Sequence, residues 1–111
     1  MAGRFRHLPS LEGLAAFESV SRLGSFTRAA DELCLTQSAI SKQIRALEAS
    51  LGTPLFVRKA RGVTLSNAGM LYQQHILPAL QGLEMAGQRL RALQHPDTVS
   101  VLAMHAAIQR G

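Results

Sequence analysis

The fold of this chain is specified by residues 25–48, which read SFTRAADELCLTQSAISKQIRALE. The spacing of their apolar residues predicts two helices, separated by the abrupt tetrapeptide Cys34–Gln37. The first helix starts at Ser25 or Thr27 and has one apolar stripe, formed by Phe26, Ala29, Ala30 and Leu33. Because its paired alanines are small, a second helix can cross it at close range. The stretch therefore predicts two short helices in contact across a tight turn.

The second helix begins behind Thr36, a good N-cap residue, and runs to Leu51. Its apolar positions repeat with helical spacing and predict one buried stripe, Ile40, Ile44, Leu47 and Leu51. Its other face is polar, and no acidic residue occurs from Gln37 to Leu47. A tight turn followed by a helix that is polar in its exposed N-terminal half is typical of the helix-turn-helix. We therefore predict that this second helix is a recognition helix.

A recognition helix fits the major groove of DNA, where side chains near its N-terminus reach base edges. Gln37 can form paired hydrogen bonds with adenine, and serines can bond bases or phosphates. Lys42 and Arg45, one turn apart, suit phosphate or guanine. We predict DNA contacts from Thr36, Gln37, Ser38, Ser41, Lys42 and Arg45 in this helix, and from Arg28 in the helix before it. Taken alone, the same face is equally compatible with an ordinary solvated helix surface.

The flanking segments extend the pattern. Before the pair, Ser10 caps a helix predicted to end at Leu23, with Gly24 as its stop. After it, Gly52 and Pro54 end the recognition helix. Two predicted strands, Leu55–Arg58 and Val63–Leu65, then enclose the turn Lys59–Gly62. This basic hairpin favours DNA contact over a solvated surface, and its wing residues are expected to hold phosphates or the minor groove: Arg58, Lys59 and Arg61.

A long helix follows the hairpin, with Ser66 as its cap and Leu93 near its end. Pro78 is expected to kink it or to weaken one turn. Leucine and isoleucine recur every three or four residues, which predicts a coiled-coil-like dimer seam: Ile76, Leu80, Leu83, Leu90 and Leu93. The alternative is that this face packs onto its own domain. A symmetric dimer suits DNA, because it can bind two half-sites of an inverted repeat.

Composition limits the other classes of function. The net charge is +5 and the pI about 10.7, and residues 1–66 hold nine Lys and Arg against five Asp and Glu. This surplus favours a polyanionic partner. No apolar run is long enough for a membrane span or a signal peptide, so a cytoplasmic, nucleoid-associated protein is expected. Cys34 is alone, which excludes an internal disulfide, and we expect it within a helix-packing face.

Enzymatic chemistry has little support. The four histidines are scattered without metal-ligand spacing, and no glycine-rich phosphate loop or nucleophile motif occurs. We therefore expect no enzyme activity, no metal and no cofactor. The remaining rival is a protein-interaction module, a winged helix that forms mixed dimers with a full-length relative. Such a module would need the seam of the long helix and not the polar recognition face.

Several segments agree in order and spacing with one known family, the LysR-type transcriptional regulators. The resemblance covers residues 8–94 and is carried by Phe17, Ser25–Leu33, Thr36–Glu48, Leu51-Gly52, Leu55–Arg58 and Val63–Gly69. It implies a mainly α fold, namely a winged helix-turn-helix with a short β-hairpin wing and a long C-terminal linker helix. The linker pairs antiparallel with its counterpart in a homodimer, or within a tetramer in a full-length form.

The resemblance also implies a domain organisation. Residues 1–66 are expected to form the DNA-binding domain, 67–94 the linker and dimerisation helix, and 95–111 a hinge and the start of an effector-binding domain. Val99–Ala103 is similar to the first strand of that domain, nearest the glycine-cleavage activator and β-lactamase regulator subgroup. Family members continue for about twice this length again. We therefore expect no small-molecule ligand and no effector-dependent activation in the chain as it stands.

Overall fold

A computed structural model describes residues 3–94 of the chain. Its elements are α1 (Leu11–Leu23), α2 (Phe26–Leu33), α3 (Gln37–Leu51), β1 (Phe56–Lys59), β2 (Gly62–Leu65) and α4 (Asn67–Leu93). The predicted fold class is confirmed, because these residues form four helices and one antiparallel hairpin. The chain divides into two compact units, one ending at Leu77 and the other beginning at Pro78. The interpretation of residues 95–111 as a hinge and a first strand lies outside the described residues.

Local hydrogen bonds set the helix ends where the sequence predicts them. The side chains of Ser10, Ser25 and Thr36 accept the backbone N–H of the third residue beyond each, at 3.0–3.1 Å. These bonds satisfy N–H groups that the first turn of a helix otherwise leaves unpaired. Gly24 and Gly52 end α1 and α3 in the left-handed conformation, which glycine adopts without steric cost.

The core of the first unit lies where the three short helices meet the hairpin. Phe17 of α1 is 1% exposed, and its ring centroid lies 5.5 Å from that of Phe56 and 5.3 Å from that of Tyr72. It therefore joins α1 to β1 and to the first part of α4. The other buried apolar side chains of this core are Ala16, Val20, Phe26, Ala29, Ala30, Ile40, Ile44, Leu47, Leu55 and Val63. The alanine pair of α2 is buried, as a close crossing of helices requires.

The hairpin is tight and is held at its base. Lys59 pairs with Gly62, so that Ala60 and Arg61 form the turn. The N–H of Val63 donates to the carbonyl of Gly24 at 3.1 Å, which links β2 to the end of α1. On the other side, a carboxylate oxygen of Glu48 accepts the N–H of Leu55 at 2.6 Å. The hairpin is therefore anchored to both α1 and α3.

Two expectations about burial were wrong, and both concern residues at helix ends. Cys34 is exposed, because it is the C-cap of α2, with φ 57°, and no longer continues the apolar stripe of that helix. Leu51 is 40% exposed, since it is the last residue of α3. The helical periodicity continues at these positions, but the core does not extend so far.

The fourth helix is continuous from Asn67 to Leu93 and passes through Pro78. Ser66 precedes it, and its hydroxyl oxygen accepts the N–H of Gly69 at 3.0 Å. Within residues 3–94, no helix has the length and apolar character needed to cross a membrane.

Candidate nucleic-acid interface

The polar residues predicted on α3 form one accessible surface at its N-terminal half. Thr36, Gln37, Ser38, Lys42 and Arg45 are exposed, and Ser41 is half-buried. The hydroxyl of Thr36 is partly committed, since its oxygen caps the N–H of Ala39 at 3.0 Å. The structure therefore brings the six predicted residues together at the N-terminal half of α3 and its cap, with Ser38, Lys42 and Arg45 exposed to a partner.

Thr27, on α2, extends this surface, and the sequence indicated it only as a possible helix start. Its hydroxyl donates a hydrogen bond to the side-chain oxygen of Gln37 at 3.1 Å, and both residues are exposed. No pattern in the sequence indicated this contact, because it depends on the angle at which α2 and α3 cross.

The wing reaches the same surface through Arg58. Its guanidinium carbon lies 5.0 Å from the centroid of the Phe26 ring, a cation–π distance that holds the side chain over α2. A shallow groove lies between α2, α3 and β1, and its lining residues are Phe26, Ser41, Ile44, Arg45, Glu48, Phe56 and Arg58. Half-buried Ser41 therefore shares a groove with two arginines, one from the recognition helix and one from the wing.

The basic residues of this surface have no ion-pair partners within residues 3–94. The ion pairs there involve only Arg22 and Arg91. The unpaired basic residues are Arg28, Lys42, Arg45, Arg58, Lys59 and Arg61, and all are exposed. Their positive charge is consequently available to an anionic partner.

Arg22 shows the contrasting case of a basic side chain with structural partners. It binds Glu18 at 3.0 Å and Glu32 at 2.6 Å, and Glu32 also accepts the hydroxyl of Ser19. The hydrogen bonds from Arg22 and then Ser19 lower the pKa of Glu32, while those to Glu18 and Glu32 raise the pKa of Arg22. This cluster joins α1 to α2 and leaves Arg22 little available to a ligand.

The predicted dimerisation residues differ in exposure along α4. Ile76 is half-buried and packs against the core of the first unit. In the second unit Leu80 is half-buried, whereas Leu83, Leu90 and Leu93 are 61–68% exposed. Exposure above one half is unusual for so many leucines on one helix. These three side chains are therefore accessible to a partner helix, while Ile76 serves its own domain.

Among the described residues, no three His, Cys, Asp or Glu side chains lie close enough together to hold a metal ion.

Comparison with known proteins shows which family and which relatives the chain resembles. Residues 11–70 match the family described as "Bacterial regulatory helix-turn-helix protein, lysR family". The glycine cleavage system transcriptional activator homolog of Haemophilus influenzae is 47% identical over 90 residues, which are 81% of this chain and 30% of that protein. The transcriptional activator AmpR of Providencia stuartii is 46% identical over 101 residues, covering 91% of this chain and 35% of that protein. The chain thus spans about a third of the length of these relatives.

Solved structures agree with the sequence comparison. The BenM DNA-binding domain in complex with catB site 1 DNA has a TM-score of 0.72 and 31% identity, covering 78% of this chain and 97% of that one. The CbnR DNA-binding domain in complex with DNA has a TM-score of 0.68 and 32% identity, covering 78% and 99%. The resemblance seen in the sequence is confirmed, and the chain belongs to the lysR family of bacterial regulatory helix-turn-helix proteins.

Proposed function

We propose that this chain binds promoter DNA sequence-specifically, as a dimer, with α3 in the major groove and the hairpin on the DNA backbone. The observation that carries the proposal is the set of six exposed basic side chains on α2, α3 and the hairpin, none of which has an ion-pair partner within residues 3–94. Cations without partners on the protein can neutralise phosphates and release counterions, which drives DNA binding. The complexes of BenM and CbnR with DNA support the proposal by similarity.

The roles of the residues follow from their chemistry and position. Gln37, Ser38 and Ser41 carry neutral polar groups, which discriminate base edges. Lys42 and Arg45 supply charge on the same helix, for phosphate or guanine. Thr36 adds a hydroxyl at the start of the helix. The backbone of the duplex is held by the charged residues of α2 and the hairpin, Arg28, Arg58, Lys59 and Arg61.

Dimerisation through α4 would supply a second recognition helix, the α3 of the other copy. Leu83, Leu90 and Leu93 are 61–68% exposed, a large apolar surface for a helix that lacks a partner. Burial of these side chains against a second copy would stabilise the dimer by roughly 1.5–3 kcal/mol for each leucine. A two-fold dimer of this kind matches an inverted repeat, since each half-site then meets the same helix. We infer a cytoplasmic location from this function.

The same leucines favour a second candidate function, a mixed dimer with a full-length regulator. That function uses α4 alone and is indifferent to the polar face of α3. Replacement of both Ser41 and Lys42 by alanine separates the two, because only a DNA-binding function is lost.

The test is selection of bound duplexes from a random DNA library by the purified chain near physiological salt. We expect enrichment of an interrupted inverted repeat. A folded, dimeric protein that enriches no sequence would contradict sequence-specific binding and would favour the mixed dimer.

Ser41→Ala is expected to relax base preference at one position of each half-site. One hydrogen bond to a base edge is lost, so discrimination there falls by about tenfold, while affinity for unrelated DNA stays the same. Ser50→Ala is the matched control, since the hydroxyl of Ser50 donates to the carbonyl of Leu47 near the other end of the helix. Competition binding with each base at each position measures the effect. A loss of affinity that is the same for every base at every position would instead indicate that Ser41 contacts a phosphate.

Lys59→Ala is expected to weaken binding to all sequences alike. The slope of log K against log salt should fall in magnitude by about one, because one phosphate contact is lost. Arg89→Ala is the matched control, since it removes the same charge from an exposed position on α4. The measurement is a salt titration of affinity for the selected site and for a scrambled site. If the two variants give equal slopes, the effect is one of net charge and not of the wing.

A further inference from the structure

The hydrogen bond between Thr27 and Gln37 has no role in the function proposed so far. Thr27 is the second residue of α2, and Gln37 is the first of α3. The hydroxyl donates and the amide oxygen accepts, at 3.1 Å, so that the bond crosses the turn of the helix-turn-helix. It therefore constrains a base-reading side chain from a different helix.

The backbone on both sides of this bond is held independently of it. Ser25 caps α2 at the N–H of Arg28, and Thr36 caps α3 at the N–H of Ala39. Within the turn, the N–H of Leu35 donates to the carbonyl of Ala30 at 2.9 Å. Because both helix starts are fixed, Thr27 meets Gln37 without rearrangement. The orientation of the amide is thus set before DNA is bound, which lowers the entropy lost on binding.

We propose that Thr27 is a positioning residue that sets which side of the Gln37 amide faces the bases. The amide has one oxygen that accepts and one NH₂ group that donates. Since the Thr27 hydroxyl engages the oxygen, the NH₂ group is presented to the DNA. Guanine presents two acceptors in the major groove, O6 and N7, whereas adenine and thymine present one each, N7 and O4; paired recognition of adenine needs both the oxygen and the NH₂ group of the amide.

The consequence is a change in the expected specificity of Gln37. An unconstrained glutamine favours adenine through its oxygen and NH₂ group together. With Thr27 present, we infer that Gln37 favours guanine, the base with two acceptors, at the position it contacts. This inference rests on the proposed DNA-binding function, and it deepens that function by naming the determinant of one base preference.

The test compares base preferences of the wild type, Thr27→Val, Thr27→Ser and Gln37→Ala by library selection followed by competition binding. Gln37→Ala identifies the base pair, because preference is lost only there. At that base pair Thr27→Val, which keeps the shape but not the hydroxyl, should reduce the preference for guanine over adenine by about fivefold, the worth of one net hydrogen bond. Thr27→Ser should retain the preference.

Two further variants separate positioning from a direct contact. Thr53→Val removes a hydroxyl beyond the opposite end of α3 and should leave every preference unchanged. In the double variant Thr27→Val with Gln37→Ala, the loss should equal that of Gln37→Ala alone, because Thr27 acts through Gln37. Additive losses, or a Thr27→Val effect equal for all four bases, would overturn the proposal and assign Thr27 to the DNA backbone.

A measurement without DNA keeps this inference separate from the proposed function. In ¹⁵N-labelled free protein, Thr27→Val should shift the side-chain NH₂ resonances of Gln37, while Thr27→Ser and Thr53→Val should not. Unshifted resonances in Thr27→Val would overturn the positioning role even where the wild type binds its site. If Thr27→Val shifts these resonances but the wild type enriches no sequence, the proposed function is overturned instead, and with it the base preference of Gln37.

Discussion

Gly62→Ala is expected to lower the free energy of unfolding by about 3 kcal/mol. Gly62 has φ 92°, a left-handed conformation that costs an alanine energy because of its Cβ atom. A Cβ here would also lie well inside van der Waals distance of the carbonyl oxygen of Gly24. That oxygen accepts the N–H of Val63, so any shift that relieves the overlap strains the link between the hairpin and α1. Urea denaturation at a fixed protein concentration measures the loss.

Gly52→Ala is the matched control for this variant. Gly52 has φ 75°, but a Cβ built there has no atom within 4 Å. Only the backbone strain is added, so we expect a loss of about 1 kcal/mol. The difference between the two variants isolates the contact with Gly24. Equal losses would show that the hairpin relaxes away from α1 without cost, and that this contact does not hold the wing.

Gly69→Ala is expected to destabilise the protein by about 2 kcal/mol, although alanine is a better helix former than glycine. Gly69 is buried in the first turn of α4, where a Cβ would overlap the carbonyl oxygen of Leu55 and lie 2.9 Å from a methyl carbon of Leu65. The carbonyl of Leu55 also accepts the N–H of Ser66 at 2.9 Å. The backbone at Leu55 therefore cannot move without losing a bond, and the overlap outweighs the gain in helix propensity.

Gly82→Ala, on the same helix, should change the stability of the protein in the opposite direction. No atom lies within 4 Å of a Cβ at Gly82, so the variant keeps the gain in propensity and should stabilise by up to about 1 kcal/mol. Both variants are compared by urea denaturation at one protein concentration, since the proposed dimerisation would make apparent stability depend on concentration. Stabilisation by Gly69→Ala would mean that α4 can shift away from the hairpin without cost.

Gly62 and Gly69 matter for the proposed DNA binding because the hairpin packs closely at both positions. The carbonyl of Gly24 binds β2, the carboxylate of Glu48 binds Leu55 just before β1, and Gly69 lets α4 approach the base of the hairpin. Arg58 is held over Phe26 only while the hairpin keeps this position. The placement of the charged wing beside α3 is thus a property of the tertiary contacts, and weakening them is expected to reduce affinity for every DNA sequence.

The helices, the strands and their ends follow from local sequence signals. Ser10, Thr36 and Ser66 cap the three helices for which they were predicted, because a cap needs only a side-chain oxygen and an N–H three residues away. Gly24 and Gly52 end helices for an equally local reason. Both strands were predicted to within one residue at each end, and the exposed polar face of α3 follows from helical periodicity alone.

Periodicity failed where it was extended to the ends of helices. The stripe of α3 is buried at Ile40, Ile44 and Leu47, but Leu51 lies past the neighbouring elements. Cys34 belongs to the cap of α2 and not to its packing face. A repeat along one helix shows which face is apolar, but the length of that face that is covered depends on the elements that cross it.

The contacts between elements that shape the candidate site are not local and follow from the packing of the folded chain. Thr27 and Gln37 are bonded across the turn, Arg58 lies over Phe26, and Val63 is bonded to Gly24. These partners are separated by ten to about forty residues, and their meeting depends on the angle at which α2 and α3 cross and on where the hairpin packs. Caps and periodicity are properties of a few consecutive residues, whereas crossing angles follow from how all the buried side chains pack together.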